Sequence, residues 1–354
     1  MASIKDVARQ AGVSSATVSR VLADKPHVRP ELRERVWEAV EALSYQPSRV
    51  ARSLRAKQSK IIGLIISDIQ NPFFTSIVRA VEDTAYEQGF SIFLCNSDED
   101  PDKEKMYLDL MRAENVAGII ASPTRETADC FQDVLDDEIP VVEIDRRTPN
   151  VETDTVLINN VEAAYNLVSH LIADGHQRIG AVVGVSDATT GRERMEGYVR
   201  ALTAHGIEVS PKLTIQVLPK EQQGHEATEE LLGLPDPPTA IFTGNNLLTI
   251  GALKAIQAQN LTIPDDVALA GFDEMRWASL IRPGLTVIEQ PTYELGRTAA
   301  DLLLRRLEDP SRSTREVILK GKLIVRQSCA HHPSTSSEPA LSPVEGLPKG
   351  HRDE

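Results

Sequence analysis

The segment from Ser3 to Arg20, SIKDVARQAGVSSATVSR, has the spacing of two short helices that cross at a tight turn. The small residue Ala8 lies where the helices would touch, and Gly12, four residues later, lies where the turn needs a positive φ. Val18, six residues after Gly12, is an aliphatic residue that would hold the second helix against the first. This spacing is typical of a DNA-binding helix-turn-helix.

Three helices are predicted in this region, over residues 4–11, 14–22 and 30–43. Apolar residues recur with helical spacing in the third helix, at positions 32, 36, 39, 40 and 43. Trp37 lies beside this apolar face, and we expect it to belong to the core rather than to stack on a base.

The charge of the chain is divided unevenly between this region and the rest. The formal net charge is −14, yet residues 1–60 carry 12 Lys and Arg against 6 Asp and Glu. The remaining residues carry 26 Lys and Arg against 46 Asp and Glu. A basic module on an acidic body is expected if only the module contacts nucleic-acid phosphates.

Several classes of protein are disfavoured by what the sequence lacks. No apolar run approaches the ~18 residues of a membrane span, and no apolar signal region opens the chain, so we expect a cytoplasmic protein. Cys95, Cys130 and Cys329 are too far apart for a disulfide framework or a zinc site. No GxSxG, P-loop or HExxH motif is present, so we expect neither an enzyme nor a bound cofactor.

From residue 60 onward, buried strands alternate with amphipathic helices. The predicted strands are 61–67, 90–95, 118–122, 140–145, 179–184, 214–218, 240–244 and 267–273, and the predicted helices are 72–88, 103–113, 161–174, 191–204, 224–232 and 247–259. This alternation predicts an α/β fold with two open parallel sheets. Ligands bind at the carboxyl ends of such strands, so a cleft between two lobes is the expected small-molecule site.

The chain resembles the lactose and galactose repressor (LacI/GalR) family of bacterial transcription regulators over residues 3 to about 329. The motifs that carry the resemblance are IKDVARQAGVSSATVSRVL, YQPSRVARSL, DIQNPFF, DGHQRIG, RERMEGY, TGNN, PDDVALAGFD and LTVIEQP. The resemblance implies an all-α DNA-binding head, a hinge helix and a two-lobed core like the periplasmic sugar-binding proteins. It also implies a homodimer that reads a palindromic operator in double-stranded DNA.

The resemblance divides the chain into four parts. The helix-turn-helix domain is expected at 1–47, the hinge helix or linker at 48–59, and the effector-binding and dimerisation core at 60–330. Within the core, lobe 1 takes about 60–159 and 290–322, and lobe 2 takes about 160–289 and 323–330. Residues 331–354, rich in Pro, Ser, Glu and Gly, are expected to form a disordered tail.

The second helix of the head enters the major groove in the family geometry. Ser15 and Ala16 are then placed for base contacts, and Arg20 for a guanine or a phosphate. Thr17 and Ser19 are expected to bind phosphate and set the register, although simple surface positions are the alternative for Ser15 and Ser19.

The basic segment from Ser48 to Lys57 is expected to form the hinge helix. Arg49 and Arg52 would contact DNA, and Leu54 matches the family position whose side chain wedges into the central minor-groove step. The alternative is a basic linker without defined structure, since a helix this short is marginal in isolation.

Residues that follow predicted strands or begin helices form the expected effector site. The resemblance and this placement together select Asp68, Phe73, Phe74, Asp145, Arg146, Arg194, Asn245, Asp273, Trp277 and Gln290. These side chains suit the hydroxyls and the ring face of a sugar.

Structural roles are the alternative for several of these residues. Phe73 and Phe74 would then begin a packed helix face, Asp145 and Arg146 would form an ion pair, and Trp277 would cap a lobe. Gln290 lies on a predicted crossover between lobes and suits either a hinge or a ligand contact.

The effector class follows from the same residues. A lactose-type effector is doubtful, because Pro219 stands on the segment where the lactose repressor has an aromatic contact. A sugar phosphate remains open because Arg146, Arg192 and Arg194 supply cations. A purine is less favoured, since no residue reads a purine edge in an evident way.

The sequence thus favours a repressor whose operator affinity is controlled by a small sugar-like effector. A global catabolite-type regulator with a protein coregulator is the main alternative, and a solute-binding receptor would lack the helix-turn-helix. The sign of the effector response stays open. No leucine-heptad repeat follows Ser328, so a dimer is favoured over a tetramer.

The hinge assignment can be tested by replacing Leu54 with alanine. Leu54→Ala is expected to weaken operator binding severely, because the wedge that supports the DNA kink is lost, while effector affinity stays nearly unchanged. Operator and effector titrations of the same preparation measure both. Equal losses in the two affinities would contradict the assignment.

Overall fold

The computed structural model describes residues 2–22, 28–45, 59–126 and 129–329, without side chains for 129 and 130. It separates the chain into two compact units, Met1–Lys60 and Ile61–Glu354. The predicted hinge helix with Arg49, Arg52 and Leu54 lies outside the described residues, as does the tail from 331.

The first unit contains three helices, α1 (Ile4–Ala11), α2 (Ser15–Leu22) and α3 (Pro30–Ala42). Ser3 begins α1 through a capping box, in which its hydroxyl accepts from the Asp6 amide while the Asp6 carboxylate accepts from the Ser3 amide at 2.9 Å. Ser14 caps α2 with its side chain, since its Oγ accepts from the Thr17 amide at 3.1 Å.

Gly12 makes the turn between α1 and α2, with φ of 61°. The Arg35 guanidinium crosses from α3 and donates to the Ala11 carbonyl at 2.7 Å, which closes the turn from outside. The three helices share a small buried core that consists of Val7, Ala8, Ala11, Val18, Val21, Val36 and Ala39. Trp37 was expected in this core but is 47% exposed, because α3 turns its Val36 and Ala39 face inward instead.

The second unit contains two six-stranded sheets with matching topology. The strands of the first sheet are β1 (Ile61–Ile66), β2 (Ser91–Asn96), β3 (Gly118–Ala121), β4 (Val141–Ile144), β5 (Asp154–Ile158) and β11 (Glu316–Leu319). Those of the second are β6 (Ile179–Gly184), β7 (Thr214–Val217), β8 (Ala240–Thr243), β9 (Ala268–Phe272), β10 (Thr286–Glu289) and β12 (Lys322–Ile324). The first sheet has the order β11-β5-β4-β3-β1-β2 and the second β12-β10-β9-β8-β6-β7. Neighbours are parallel except for β12, which pairs antiparallel with β10.

Helices cover both faces of each sheet, so each lobe has two apolar layers. The first lobe carries α4 (Pro72–Glu87), α5 (Pro101–Ala113), α6 (Asp129–Asp136) and α11 (Thr292–Glu308). The second carries α7 (Asn160–Ala173), α8 (Thr189–Ala204), α9 (Glu221–Leu232) and α10 (Asn246–Ala258). These two doubly covered parallel sheets, with the all-α head, confirm the predicted α/β fold class.

All eight predicted strands are present, but six elements of the core were missed. They are α6, α11, β5, β10, β11 and β12. Strands β11 and β12 lie at sheet edges and are only partly buried, so they lack the continuous apolar run that marked the central strands. Helix α11 follows a crossover, so its place in the first lobe depends on contacts with α4 that are far away in sequence.

The chain passes between the lobes three times, after β5, after β10 and after β11. Asn159 joins the first and third passages, because its side-chain Oδ1 accepts from the Gly321 amide at 2.8 Å and its own amide donates to Leu319. Gln290 begins the second passage, where its carbonyl accepts from the Thr292 amide at 2.8 Å. Lobe movement must therefore turn about these short segments. Among the described residues, no helix has the length and apolar character needed to span a membrane.

The turn in the first unit can be tested with Gly12→Ala. An L-residue at this φ costs about 1–2 kcal/mol, and the added Cβ would lie 2.6 Å from Arg35 Nη2. Amide protection in residues 3–45 is expected to fall about 5–30-fold by hydrogen exchange. Protection in residues 61–329 serves as the internal control. Unchanged protection in the head would show that the turn tolerates a side chain.

Candidate effector cleft and DNA-contacting helix

A cleft of about 570 Å³, including its open mouth, lies between the two lobes at the carboxyl ends of their strands. Nine of the ten residues predicted for the effector site line it, namely Asp68, Phe73, Phe74, Asp145, Arg146, Arg194, Asn245, Asp273 and Gln290. Each lobe contributes, because equivalent strands of the two matching sheets end at this cleft.

Asp145 and Asp273 occupy equivalent positions in the two lobes. Asp145 follows β4 and Asp273 follows β9, which hold the same position in the two strand orders. Both residues have a positive φ, of 67° and 78° respectively. The amide of Asp145 donates to the Val156 carbonyl and that of Asp273 to the Ile288 carbonyl, both at 2.9 Å. A non-glycine residue in this conformation carries backbone strain, which is found at functional sites when neighbouring hydrogen bonds hold it.

Arg146 is held by a carboxylate that the sequence analysis did not select. Its two terminal nitrogens donate to Glu99 at 2.7 and 2.8 Å, and both side chains are buried. The expected alternative of an Asp145–Arg146 pair is realised only as a longer contact of 3.7 Å. Among the described residues the buried Arg146 Nε has no hydrogen-bond partner, so it is the donor left for a ligand.

Arg194 enters the cleft from the first turns of α8. Its Nε donates to Asn160 Oδ1 at 2.9 Å and its Nη1 to the Gly244 carbonyl at 2.5 Å. The guanidinium also lies 4.1 Å from the centre of the Phe272 ring. Gly191, one turn earlier, lets the start of α8 pack closely against the segment after β6, since a Cβ there would overlap the backbone of Gly184.

Asp273 and Gln290 form the base of the cleft on the second lobe. Gln290 Nε2 donates to Asp273 Oδ1 at 2.5 Å, and the other carboxylate oxygen accepts from the Asn246 amide at 3.1 Å. The buried Gln290 Oε1 is without a partner among the described residues, which leaves an acceptor beside the carboxylate. Asn245 caps α10 with its Oδ1, so its amide nitrogen is the group left for a ligand.

Phe73 and Phe74 supply the apolar wall. Their ring centres lie 5.0 Å apart at 84°, and both rings also belong to the core of the first lobe. The two expectations for these residues, packing and cleft lining, are therefore combined in the structure.

Asp68 lines the cleft, but protein groups already occupy its carboxylate. Oδ1 accepts from the Gln70 amide at 2.9 Å, and Oδ2 accepts from Lys220 at 2.6 Å.

Trp277 was expected beside the ligand, but it is not among the residues that line the cleft. It is half-buried against the apolar cluster between the second sheet, α9 and α10, so its part is packing. The sequence analysis also missed Glu99 and Thr190, which line the cleft. Only the acidic composition of the segment 98–104 hinted at Glu99, and it did not separate a buried carboxylate from exposed ones.

The DNA-contacting residues predicted within the helix-turn-helix lie on one helix, α2. Ser15, Ala16 and Arg20 are exposed, whereas Thr17 and Ser19 are half-buried. The Thr17 hydroxyl lies 2.9 Å from Ser14 Oγ, so Thr17 belongs to the helix cap as well. The exposed face of α2 is thus open to a major groove, and Val18 and Val21 hold its other face in the core.

Burial dominates the electrostatics of the cleft. It raises the pKa of Asp145 to about 6, although Arg146 and Arg194 oppose the rise, and it raises the pKa of Asp273 as well. Burial also lowers the pKa of Arg194. Burial alone would lower the pKa of Arg146, but the Glu99 carboxylate raises it above its ordinary value.

The chain belongs to the LacI family of bacterial regulatory proteins, as the sequence resemblance indicated. Residues 3–48 match the family described as "Bacterial regulatory proteins, lacI family". Residues 59–327 match the family described as "Periplasmic binding proteins and sugar binding domain of LacI family". The protein is therefore a DNA-binding transcriptional repressor with an effector-binding core.

Similar proteins support the same assignment over nearly the whole chain. The HTH-type transcriptional repressor PurR of Mannheimia succiniciproducens is 35% identical over 330 residues, which cover 93% of this chain and 98% of that protein. The Lac repressor dimer bound to operator and the anti-inducer ONPF aligns with a TM-score of 0.76 at 28% identity, over 93% and 99% of the two chains. A LacI-family regulator from Enterococcus faecium with bound ribose aligns with a TM-score of 0.70 at 30% identity, over 76% and 98%.

The raised pKa of Asp145 has a consequence for stability. Between about pH 4 and pH 6 the folded state binds more protons at this residue than the unfolded state, so the free energy of unfolding decreases as the pH rises. Asp145→Asn removes this titration. Between pH 4.5 and 7.5, the unfolding free energy of the variant is therefore expected to decrease less than that of the unaltered protein, and the two decreases should differ by at most about 3 kcal/mol. Urea unfolding at several pH values measures the difference.

The matched control is Asp102→Asn, which changes an exposed carboxylate at the start of α5. Its pH profile is expected to follow that of the unaltered protein. If the Asp145→Asn profile also ran parallel to it, the carboxylate would not be the source of the pH dependence.

Proposed function

We propose that this repressor binds a palindromic operator as a dimer, through α2 and the predicted hinge helix, under the control of an unphosphorylated sugar in the cleft. The operator contacts assigned to Ser15, Ala16, Thr17, Ser19, Arg20, Arg49, Arg52 and Leu54 are part of this proposal. So is the four-part division of the chain at residues 47, 59 and 330. We place the protein in the cytoplasm and assign no catalysis to the cleft.

The observation that carries the effector class is the arrangement of unused polar groups in the cleft. Arg146 Nε is a buried donor and Gln290 Oε1 a buried acceptor, and neither has a partner among the described residues. Asp145, next to Arg146 on the first lobe, adds an acceptor that faces Gln290 on the second lobe. A sugar hydroxyl both donates and accepts, so a polyhydroxylated ring can satisfy donors and acceptors in alternation. The Phe73 and Phe74 rings suit the apolar face of such a ring.

The charge of the cleft disfavours a phosphate group on the effector. Asp68, Glu99, Asp145 and Asp273 line the cleft, against two lining cations, Arg146 and Arg194. Arg146 is already neutralised by Glu99. Arg192, which the sequence left open as a phosphate ligand, is engaged by Glu126 at 2.8 Å and does not line this cleft. Asp68 is likewise paired with Lys220, so Asp145 and Asp273 remain against Arg194 alone. An added dianion would therefore meet excess negative charge in a poorly solvated site.

Control of the operator follows from lobe closure. An effector that contacts both Asp145 and Asp273 binds the closed arrangement of the lobes better than an open one, so it shifts the population toward closure. Since the chain passes between the lobes at short segments, closure reorients the first lobe relative to the second. The Enterococcus faecium regulator of the same family carries bound ribose, which supports a sugar as the effector class.

A thermal-shift screen of the full-length protein tests the effector class, with D-ribose, D-glucose, D-cellobiose, D-ribose 5-phosphate and hypoxanthine as probes. A ligand at ~100 times its dissociation constant adds about 2.7 kcal/mol to the free energy of unfolding. We expect a neutral sugar to raise the melting temperature and the phosphate and purine to have no effect.

Two variants of α8 locate the binding site. Arg194→Lys is expected to abolish the sugar response, because the bonds of the guanidinium to Asn160 and Gly244 orient the cleft wall. Arg200→Lys is the control, since Arg200 lies exposed on the same helix and pairs only with its neighbour Glu196 among the described residues. A shift with hypoxanthine alone, or a sugar response that survives Arg194→Lys, would overturn the proposal.

A further inference from the structure

Lys220 joins the two lobes through two carboxylates. It directly precedes α9 on the second lobe, and its Nζ lies 2.6 Å from Asp68 Oδ2 and 2.5 Å from Asp98 Oδ1. Both aspartates belong to the first lobe, where one follows β1 and the other follows β2. We refer to Lys220, Asp68 and Asp98 as the rim cluster.

The rim cluster lies between the cleft and the solvent, as the exposure of its three side chains shows. The Asp68 side chain is 5% exposed, Lys220 27% and Asp98 45%. Asp68 and Pro219, the residue before Lys220, line the cleft, whereas Asp98 does not. The three side chains therefore run outward from the cleft wall to the surface.

The backbone holds each member of the cluster in place. The Lys220 amide donates to the Leu218 carbonyl at 2.7 Å, and the Asp68 carboxylate accepts from the Gln70 amide. Asp98 has φ of 59° and the following Glu99 has φ of 62°. With two consecutive residues at positive φ, the Asp98 carboxylate reaches Lys220 and the Glu99 carboxylate reaches Arg146. The rim cluster and the cleft therefore share a backbone segment.

Two other ion pairs between the lobes differ from the rim cluster in their relation to the cleft. Arg125 pairs with Asp187 at 2.9 Å and Arg192 with Glu126 at 2.8 Å, and none of these four residues lines the cleft. In the rim cluster, a residue of the cleft wall is itself one of the partners. Breaking the cluster therefore changes both the closure of the lobes and the wall that the effector meets.

We propose that Lys220 is a specificity-determining residue of the effector cleft, which closes the rim over a monosaccharide and excludes ligands that extend past the rim. This inference rests on the proposed sugar effector. A second sugar ring that passed the rim would have to separate an ammonium group from two carboxylates. The ammonium group attracts no phosphate either, because two carboxylates already surround it.

The pKa shifts of Lys220 and Asp98 both favour the charged forms of these two side chains. Burial lowers the pKa of Lys220, but the hydrogen bonds to Asp68 and Asp98 outweigh it and raise the pKa overall. The bond from Lys220 lowers the pKa of Asp98, and Lys103, at 3.6 Å, acts in the same direction. Because Asp98 and Lys220 are partly exposed, salt should weaken the cluster.

The closure part of the proposal is tested without any ligand, by small-angle X-ray scattering of the full-length protein. Lys220→Met is expected to increase the radius of gyration at low salt. The unaltered protein should approach the same value only in about 0.5 M NaCl, where ion pairs are screened. Lys220→Arg keeps the charge and should restore the compact form. An unchanged radius of gyration in Lys220→Met at every salt concentration would overturn the closure role.

The matched control is Lys254→Met. Lys254 is an exposed lysine of the same lobe that pairs with Glu221, the neighbour of Lys220, within that lobe. Its removal deletes an ion pair of similar chemistry without crossing the cleft. Its scattering is expected to match the unaltered protein. An equal expansion in Lys254→Met would show that any lost pair on this lobe has the same effect.

The specificity part is tested by calorimetric titration with D-ribose and D-cellobiose. Lys220→Met is expected to weaken ribose binding about fivefold at low salt, and to leave cellobiose binding equal or stronger, so the preference for the monosaccharide shrinks. An unchanged ratio of the two affinities would overturn the specificity role. If neither sugar bound the unaltered protein, the proposed effector would be wrong, while the scattering result would still decide closure.

Discussion

The effector cleft depends on one constraint, that parallel strands end together at one edge of a sheet. Because both sheets of the second unit have the same strand order, their carboxyl ends supply equivalent positions. Asp145 and Asp273 occupy one such pair, each with a positive φ and each tied to the next strand by its amide. The cleft is thus built from repeated backbone geometry, and side chains then differentiate its two walls.

Charge balance inside the cleft is the second determinant of what the protein can bind. Buried carboxylates outnumber the lining arginines, and burial raises the pKa of Asp145 and Asp273. Such an arrangement costs stability in the folded chain, which is common where residues are arranged for binding rather than for packing. Donors and acceptors supplied by a neutral polyol can offset that cost, whereas an added phosphate would increase it.

The rim cluster connects closure to selectivity. Asp68 was predicted to bind the effector, and in the structure it lines the cleft while its carboxylate also accepts from Lys220. The same lobe then uses Asp98 and Glu99, adjacent in sequence, for the rim and for Arg146. A change at the rim is therefore transmitted to the cleft through one short backbone segment rather than through a long chain of contacts.

The sequence by itself determined the helix-turn-helix, the two parallel sheets and most strand-end residues of the cleft. Gly12, the capping serines and the continuous apolar strands have local signals, since turn geometry and burial act over a few residues. Only the tertiary structure decided that Glu99 holds Arg146, that Trp277 packs away from the cleft, and that Lys220 meets Asp68. Lys220 and Asp68 are separated by 152 residues along the chain. Such pairings depend on how two lobes meet, and no local periodicity records that.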